Sequence, residues 1–226
     1  MERLICLAVG YVCGLLQTGY LIGEMSHVDI RKKGSGNAGT TNALRVLGWK
    51  AGLLTFAGDV LKCVAAFLIV YYMYRGSDCR PLLTMYAGAG VTLGHNFPFY
   101  MGFKGGKGIA ATAGLILSFH PYFIVMGVVL FFGTFLTTHY VSLGSLLVYA
   151  GFMIQMVVCG QTGLFGTMPQ SQLYEMYAIT AFLTVMAYWK HRQNIVRLIH
   201  GNERKTYLFK NKKSAEAQTE ISGEDK

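Results

Sequence analysis

Charge is scarce in this chain. Asp, Glu, Lys and Arg make up 14% of its 226 residues against 53% apolar ones, and the mean hydropathy is +0.39. A soluble domain carries about 25% charged residues, so the shortage excludes an ordinary globular fold and points to a polytopic membrane protein. Cysteine forms no CxxC pair: Cys6, Cys13, Cys63, Cys79 and Cys159 are scattered, four of them inside apolar runs. They read as helix-packing residues, and neither a metal site nor a cofactor is expected. No Gly-x4-Gly-Lys-Ser/Thr register exists, which removes the P-loop. No histidine has Asp five positions further on, which removes the His–Asp dyad with which a soluble-type acyl transfer deprotonates a hydroxyl. Residues 4–23 lack the flanks of a signal peptide, since Glu2 and Arg3 give no positive n-region and no A-x-A site follows.

What the chain does hold is an excess of basic over acidic residues, twenty to eleven. Sixteen of the twenty Lys and Arg fall in residues 24–50, 95–108 and 190–226. The positive-inside rule sets these three segments on the cytoplasmic side. The basic balance then reports topology and an anionic ligand or lipid surface, not nucleic acid. The fold expected is all-α, a polytopic membrane helical bundle with spans near 4–23, 52–74, 82–94, 109–119, 122–137, 142–159 and 173–189. That makes seven transmembrane helices, or six if the short 109–119 does not cross a bilayer that needs ~20 helical residues. The N-terminus lies outside and the C-terminus in the cytoplasm. Gly10-x3-Gly14 and Gly19-x3-Gly23 mark a face suited to close helix contact. Residues 1–205 form a single membrane domain, and 206–226, polar and poor in large apolar residues, form a disordered tail.

Three polar stretches interrupt the spans. In GHNFPFYMGFKGGKG, residues 94–108, Lys104 and Lys107 bracket Gly105 and Gly106 just before an apolar run. Glycine amides, two ammonium groups and a helix N-terminus after Gly108 make an anion cradle, with His95 at its start. In DIRKKGSGNAGTTNALRVLG, residues 29–48, Gly34, Gly36 and Gly39 match G-x-G-x-x-G literally. No strand precedes them, so the dinucleotide reading is weak. Ser35, Asn37, Thr40, Thr41 and Asn42 instead supply donors and a helix cap, and Arg45, on a short helix ended by Gly48, offers a fork of N–H groups to a phosphate. In WKHRQNIVRLIHGNE, residues 189–203, His191, Asn194 and Arg197 share one polar face. Ser142 opens a span at the same side, as a helix cap by default. Asp59 and Lys62 stand at i and i+3 inside a span. A charge there costs roughly 2.5–3.5 kcal/mol, so a pair on one face is expected, in a structural role.

GSGNAGTTNALRVLG, GHNFPFYMGFKGGKG and HRQNIVRLIHGNE, in this order between apolar spans, closely resemble the bacterial acyl-phosphate:glycerol-3-phosphate acyltransferases over residues 4–205. Departures fall at residues 15–18, His139 and Cys63. The resemblance implies a multi-pass protein of the bacterial inner membrane, its active site facing the cytoplasm. It implies transfer of a fatty acyl group from acyl phosphate to glycerol 3-phosphate, giving lysophosphatidic acid and phosphate, with membrane lipids as surroundings and no nucleic acid partner. It carries Ser35, Arg45, Lys104, Ser142, His191 and Asn194 over as active-site positions and the glycines of both loops as phosphate-binding backbone. It also suggests that a substrate phosphate takes the proton. A transporter for a small organic phosphate is the alternative from another class, against which stand the clustering of the motifs on one face and the uncharged loop 160–171. A structural scaffold leaves the motifs unexplained.

Overall fold

The computed structural model describes residues 1–207. Among them the regular structure is entirely helical: α1 (Glu2–Gly14), α2 (Thr18–Met25), α3 (Thr40–Leu47), α4 (Trp49–Met73), α5 (Arg80–Asn96), α6 (Ile109–Phe119), α7 (Pro121–Thr138), α8 (Val141–Gln161), α9 (Gln170–Lys190) and α10 (Arg192–Ile199). Most of the tail expected to be disordered lies outside the described residues, but Thr206 does not. It is 3% exposed, and its N–H donates to the His139 carbonyl.

Helix α5 is the axis of the bundle. Thirteen of its 17 residues are buried, from Leu82 through Asn96, as expected of a helix surrounded by others. Its closest partner is α1, and small residues are the reason. The space of a Cβ on Gly10 is occupied by the Ala87 carbonyl, and that of a Cβ on Gly14 by the Val91 backbone. The expected close-contact face is therefore real at Gly10 and Gly14. At Gly19 and Gly23 it serves another purpose, since these face the Ala38 and Val28 carbonyls of the polar loop 26–39 and seat that loop against the bundle.

The first expected span is broken. Between α1 and α2, Gln17 takes φ −99°, ψ 84°, and its buried side chain donates to the carbonyls of Gly14 and His95 at 3.2 and 3.1 Å. Irregular backbone at membrane depth is tolerated where protein covers it. The break places the Leu16 carbonyl 2.6 Å from Lys62 Nζ, and the expected Asp59–Lys62 pair is present at 2.8 Å, both side chains at most 2% exposed.

Helix α6 has 11 residues, a length of about 16 Å that reaches only halfway across a bilayer core. It ends at His120, whose extended backbone (φ −163°) caps α7, with Pro121 as that helix's first residue. Helix α7 stands at the rim, presenting Val125, Val129, Phe132 and Leu136 outward, an apolar face of the kind lipid covers. Among the described residues, four segments are long and apolar enough to cross a membrane: Glu2–Met25, Trp49–Met73, Pro121–Thr138 and Val141–Gln161. Arg3 and Glu175 form an ion pair at one end of the bundle. The C-terminal ends of α5 and α9 and the N-terminal ends of α6 and α8 meet at the other.

Candidate active site

All three polar stretches converge at that second end. The loop of residues 29–39 is shaped by one side chain. Asn42, 1% exposed, donates to the Ile30 and Lys33 carbonyls at 2.8 and 3.1 Å and accepts the Ser35 N–H at 2.8 Å. Its amide is fully used in holding the loop, which corrects the expectation that it donates to a phosphate. Gly34 and Gly36 take left-handed backbone, φ +61° and +71°, a region that disfavours a Cβ. The expected side-chain cap of α3 is absent. The N-cap is Gly39, and Asn37 Oδ1 accepts the Gly39 N–H at 3.0 Å in a local turn. Ser35 lies exposed at the tip of this loop, and Thr41 half-buried in the first turn of α3.

The glycine turn after α5 differs from the cradle expected. The N–H groups of Gly105 and Gly106 donate back to the carbonyls of Asn96 and His95 at 3.2 and 3.1 Å, so these two amides face inward and are not offered to an anion. What the glycines provide is room: a Cβ at 105 would meet the His95 carbonyl, and one at 106 the His95 ring. Gly108, at φ +83°, caps α6, whose first-turn amides have no intrahelical acceptor. Lys104 is exposed and, with Asp29, Arg31, Lys32, Gly36 and Met101, lines a pocket of about 270 Å³ where the first two loops meet.

Deeper lies a second group. Lys107 Nζ donates to Asn194 Oδ1 at 2.5 Å, and burial pushes its pKa down to about 8. Asn194 Nδ2, Arg197 Nε and Ser142 Oγ all donate to the Glu203 carboxylate, at 2.6, 2.7 and 2.9 Å. Burial alone would raise the pKa of Glu203, but these three bonds outweigh it and hold the group below the ordinary glutamate range. Ser142 is thus a ligand of Glu203 and makes no cap bond. Glu203 is the residue that sequence reasoning missed. The signal was available, since it is the sole acidic residue of WKHRQNIVRLIHGNE.

Arg45 reaches the same region from α3. Its Nη2 donates to Thr206 Oγ1 at 2.8 Å and to the Arg204 carbonyl at 3.4 Å. Its buried Nε has no acceptor among the described residues. Burial and the nearby Arg204 lower its pKa, which leaves a guanidinium charged but short of counter-charge. Arg204 also donates to the Gly34 carbonyl at 3.3 Å, and Lys190 to the Asn96 carbonyl at 2.9 Å, so each stretch is tied to another.

His191 departs from its expected role as a phosphate donor. Its Nδ1 lies 2.8 Å from the Ala187 carbonyl, which can only accept, so Nδ1 carries the proton and Nε2 a lone pair. Burial, with Lys107 close by, lowers its pKa to about 4, and the ring is neutral at pH 7. The site is cationic in two parts: Arg45, Lys107 and Arg197 gather near one buried carboxylate, and Lys104 stands in the pocket with Arg31 and Lys32.

A helical membrane protein with such a cationic end is a candidate for handling anionic lipids or their precursors. Comparison with known proteins narrows the class. The family model described as glycerol-3-phosphate acyltransferase matches residues 4–201. The glycerol-3-phosphate acyltransferase of Clostridioides difficile (strain 630) is 40% identical over 204 residues, covering 89% of this chain and 94% of the relative. That of Bacillus subtilis (strain 168) is 35% identical over 200 residues, covering 87% and 94%. Among solved structures, PlsY (YgiH), an integral membrane glycerol 3-phosphate acyltransferase in its glycerol 3-phosphate form, superposes with a TM-score of 0.78 at 29% identity. It covers 92% of this chain and 96% of its own. The chain belongs to the glycerol-3-phosphate acyltransferase family and is a membrane acyltransferase.

Proposed function

We propose that this enzyme transfers an acyl group from acyl phosphate to the hydroxyl of glycerol 3-phosphate, releasing lysophosphatidic acid and inorganic phosphate. The observation that carries the reading is the pairing of two cationic regions: the pocket lined by Lys104, Arg31 and Lys32, and the deeper group of Lys107, Arg45 and Arg197 around Glu203. Two phosphorylated reactants need two such holders side by side. Acyl phosphate is a mixed anhydride with a good leaving group, so holding the anions together and stabilising the developing charge supply most of the rate. The hydroxyl oxygen attacks the acyl carbon, the carbon–oxygen bond to phosphate breaks, and phosphate leaves with the electron pair.

Proton removal falls to a substrate phosphate. Glu203 has its oxygens engaged by three donors and so makes a poor base, and the sequence holds no H-x4-D pair. Abolition of turnover at neutral pH in His191→Ala or His95→Ala, with recovery on adding imidazole, would show this assignment wrong. Arg45 and Lys104 act as fixed charges. Ser35 and the exposed faces of Gly34, Gly36 and Asn37 line the approach of a phosphate to the first loop, and Gly108 with the α6 N-terminus its approach to the second.

The topology that suits this chemistry has seven passes, with the short α6 completing one of them, the N-terminus outside and the site at the cytoplasmic face of the bacterial inner membrane. Its support is that twelve of the sixteen Lys and Arg among the described residues fall in the three segments that meet there. Purified protein given acyl phosphate and glycerol 3-phosphate should release orthophosphate only when both are present. Release that ignores glycerol 3-phosphate, or uptake of unmodified solute into vesicles, would sink the reading.

A further inference from the structure

Residues 204–207 follow the stretch that the family model matches, which ends at 201, and they run from one bank of the site to the other. After the turn at Gly201 (φ +72°) the chain sets Glu203 into its network. On one bank, Arg204 Nη1 then donates to the Gly34 carbonyl of the first loop at 3.3 Å. On the other, the Thr206 N–H donates to the His139 carbonyl at 2.9 Å. That carbonyl is turned out of α7 because His139 ends the helix with left-handed backbone, φ +61°. The Tyr207 and His139 rings meet there with centroids 4.8 Å apart.

Arg45 lies between the banks, and the strap takes its key nitrogen. A guanidinium grips a phosphate with two parallel bonds along either of two edges, and Nη2 belongs to both, paired with Nε on one and with Nη1 on the other. Both acceptors of Arg45 Nη2 are in the strap, Thr206 Oγ1 at 2.8 Å and the Arg204 carbonyl at 3.4 Å. Arg45 Nε is buried without an acceptor among the described residues. A phosphate thus gains a two-bond grip from Arg45 only when residues 204–207 leave Nη2. The closed contact is a weak one. Its acceptors are neutral, whereas hydrogen bonds to an ionised acceptor are roughly twice as strong, and closure brings the like charge of Arg204 up to Arg45. Glu203 is held by three donors, so the strap can lift after it while the network beneath stays intact.

We propose that residues 204–207 form an autoinhibitory strap that occupies Arg45 in place of a phosphate and must lift from it, with Glu203 as the fixed end, before glycerol 3-phosphate is gripped. The inference rests on the reading of Arg45 as a phosphate holder. The apparent Kd then exceeds the intrinsic one by the reciprocal of the open fraction.

Two measurements on the full chain in lipid nanodiscs test the strap. Thr206→Val keeps the shape and the backbone N–H but removes the acceptor, so KM for glycerol 3-phosphate should fall about three- to tenfold, the worth of one hydrogen bond. A hydroxyl that only supported Arg45 would act in the opposite direction, and a raised or unchanged KM overturns the proposal. In the second measurement, His139→Cys and Tyr207→Cys are combined and bridged with a short bifunctional thiol reagent that reductant cleaves, with native protein treated alike as the reference. KM should rise about tenfold or more on bridging and return on reduction. A bridged protein with the KM of its reduced form overturns the strap. Arg45→Ala keeps that failure apart from failure of the underlying reading. A raised KM in Arg45→Ala beside an indifferent bridge leaves Arg45 a phosphate holder without a strap, whereas no change in either removes Arg45 from the site. If the bridge does not form, the sign of the Thr206→Val change decides alone.

Discussion

A single glutamate organises the deep half of the site. Glu203 accepts from Ser142, Asn194 and Arg197, and it is the nearest negative charge to Lys107 and Arg45. Removing one member of a buried charged network leaves its partners unpaired. Glu203→Ala is therefore expected to cost about 3 kcal/mol of stability, read from thermal unfolding in detergent, together with loss of activity. Arg45→Ala and Lys104→Ala should behave differently. Each removes a charge proposed to hold substrate without opening the core, so turnover should fall by about 10² to 10³-fold with the melting temperature little changed, and a near-native kcat would remove that residue from the site. Lys107 adds a pH dependence. Its pKa is depressed to about 8, so its charge is present below that value and lost above it. KM for glycerol 3-phosphate should rise as pH passes about 8, and Lys107→Arg, charged throughout, should flatten the rise.

Among elements, α1 and α5 carry the bundle through glycine. Gly10 faces the Ala87 carbonyl so closely that no side chain fits, and two backbones in such contact cannot give way as a flexible side chain would. Gly10→Leu should separate the two helices and yield protein that does not assemble, seen as early elution or aggregation in size exclusion. Gly106→Leu touches a different element. It fills the space before the His95 ring and should abolish turnover while the bundle stays folded, because the turn lies at the edge of the fold. Much at this scale could be read in advance: α4, α5, α8 and α9 lie within a few residues of their expected spans. The break at Gln17 could not, since Gln17 and Thr18 carry no charge and no proline marks a stop, and the contact that holds the opened backbone, Lys62 of α4 on the Leu16 carbonyl, is made only in the folded bundle.

For the whole molecule, the joining of the three polar stretches is what makes a site, and side-specific labelling checks it. Lys33→Cys and Asn202→Cys should react with an impermeant thiol reagent from the same side of sealed vesicles, and Ser77→Cys from the other. The native cysteines are buried or half-buried. Reaction of the first two from opposite sides would dissolve the proposed pocket.

Composition alone was sufficient to establish a helical membrane protein, because burial in lipid demands long apolar runs and drives charge into a few exposed segments. The glycine and lysine pattern picked out the turn at which an anion site was expected. Which donors are actually available there was decided by tertiary contact. The amides of Gly105 and Gly106 turn inward to α5, Asn42 is consumed by its own loop, and Ser142 and Asn194 meet on Glu203 from helices far apart in the chain. A side chain's hydrogen-bonding capacity is written in its type, but the partner that spends it is set by packing. Lys62 was marked in the sequence by its charge inside a span, whereas what Glu203 and Gln17 bind is visible only once the helices are in place.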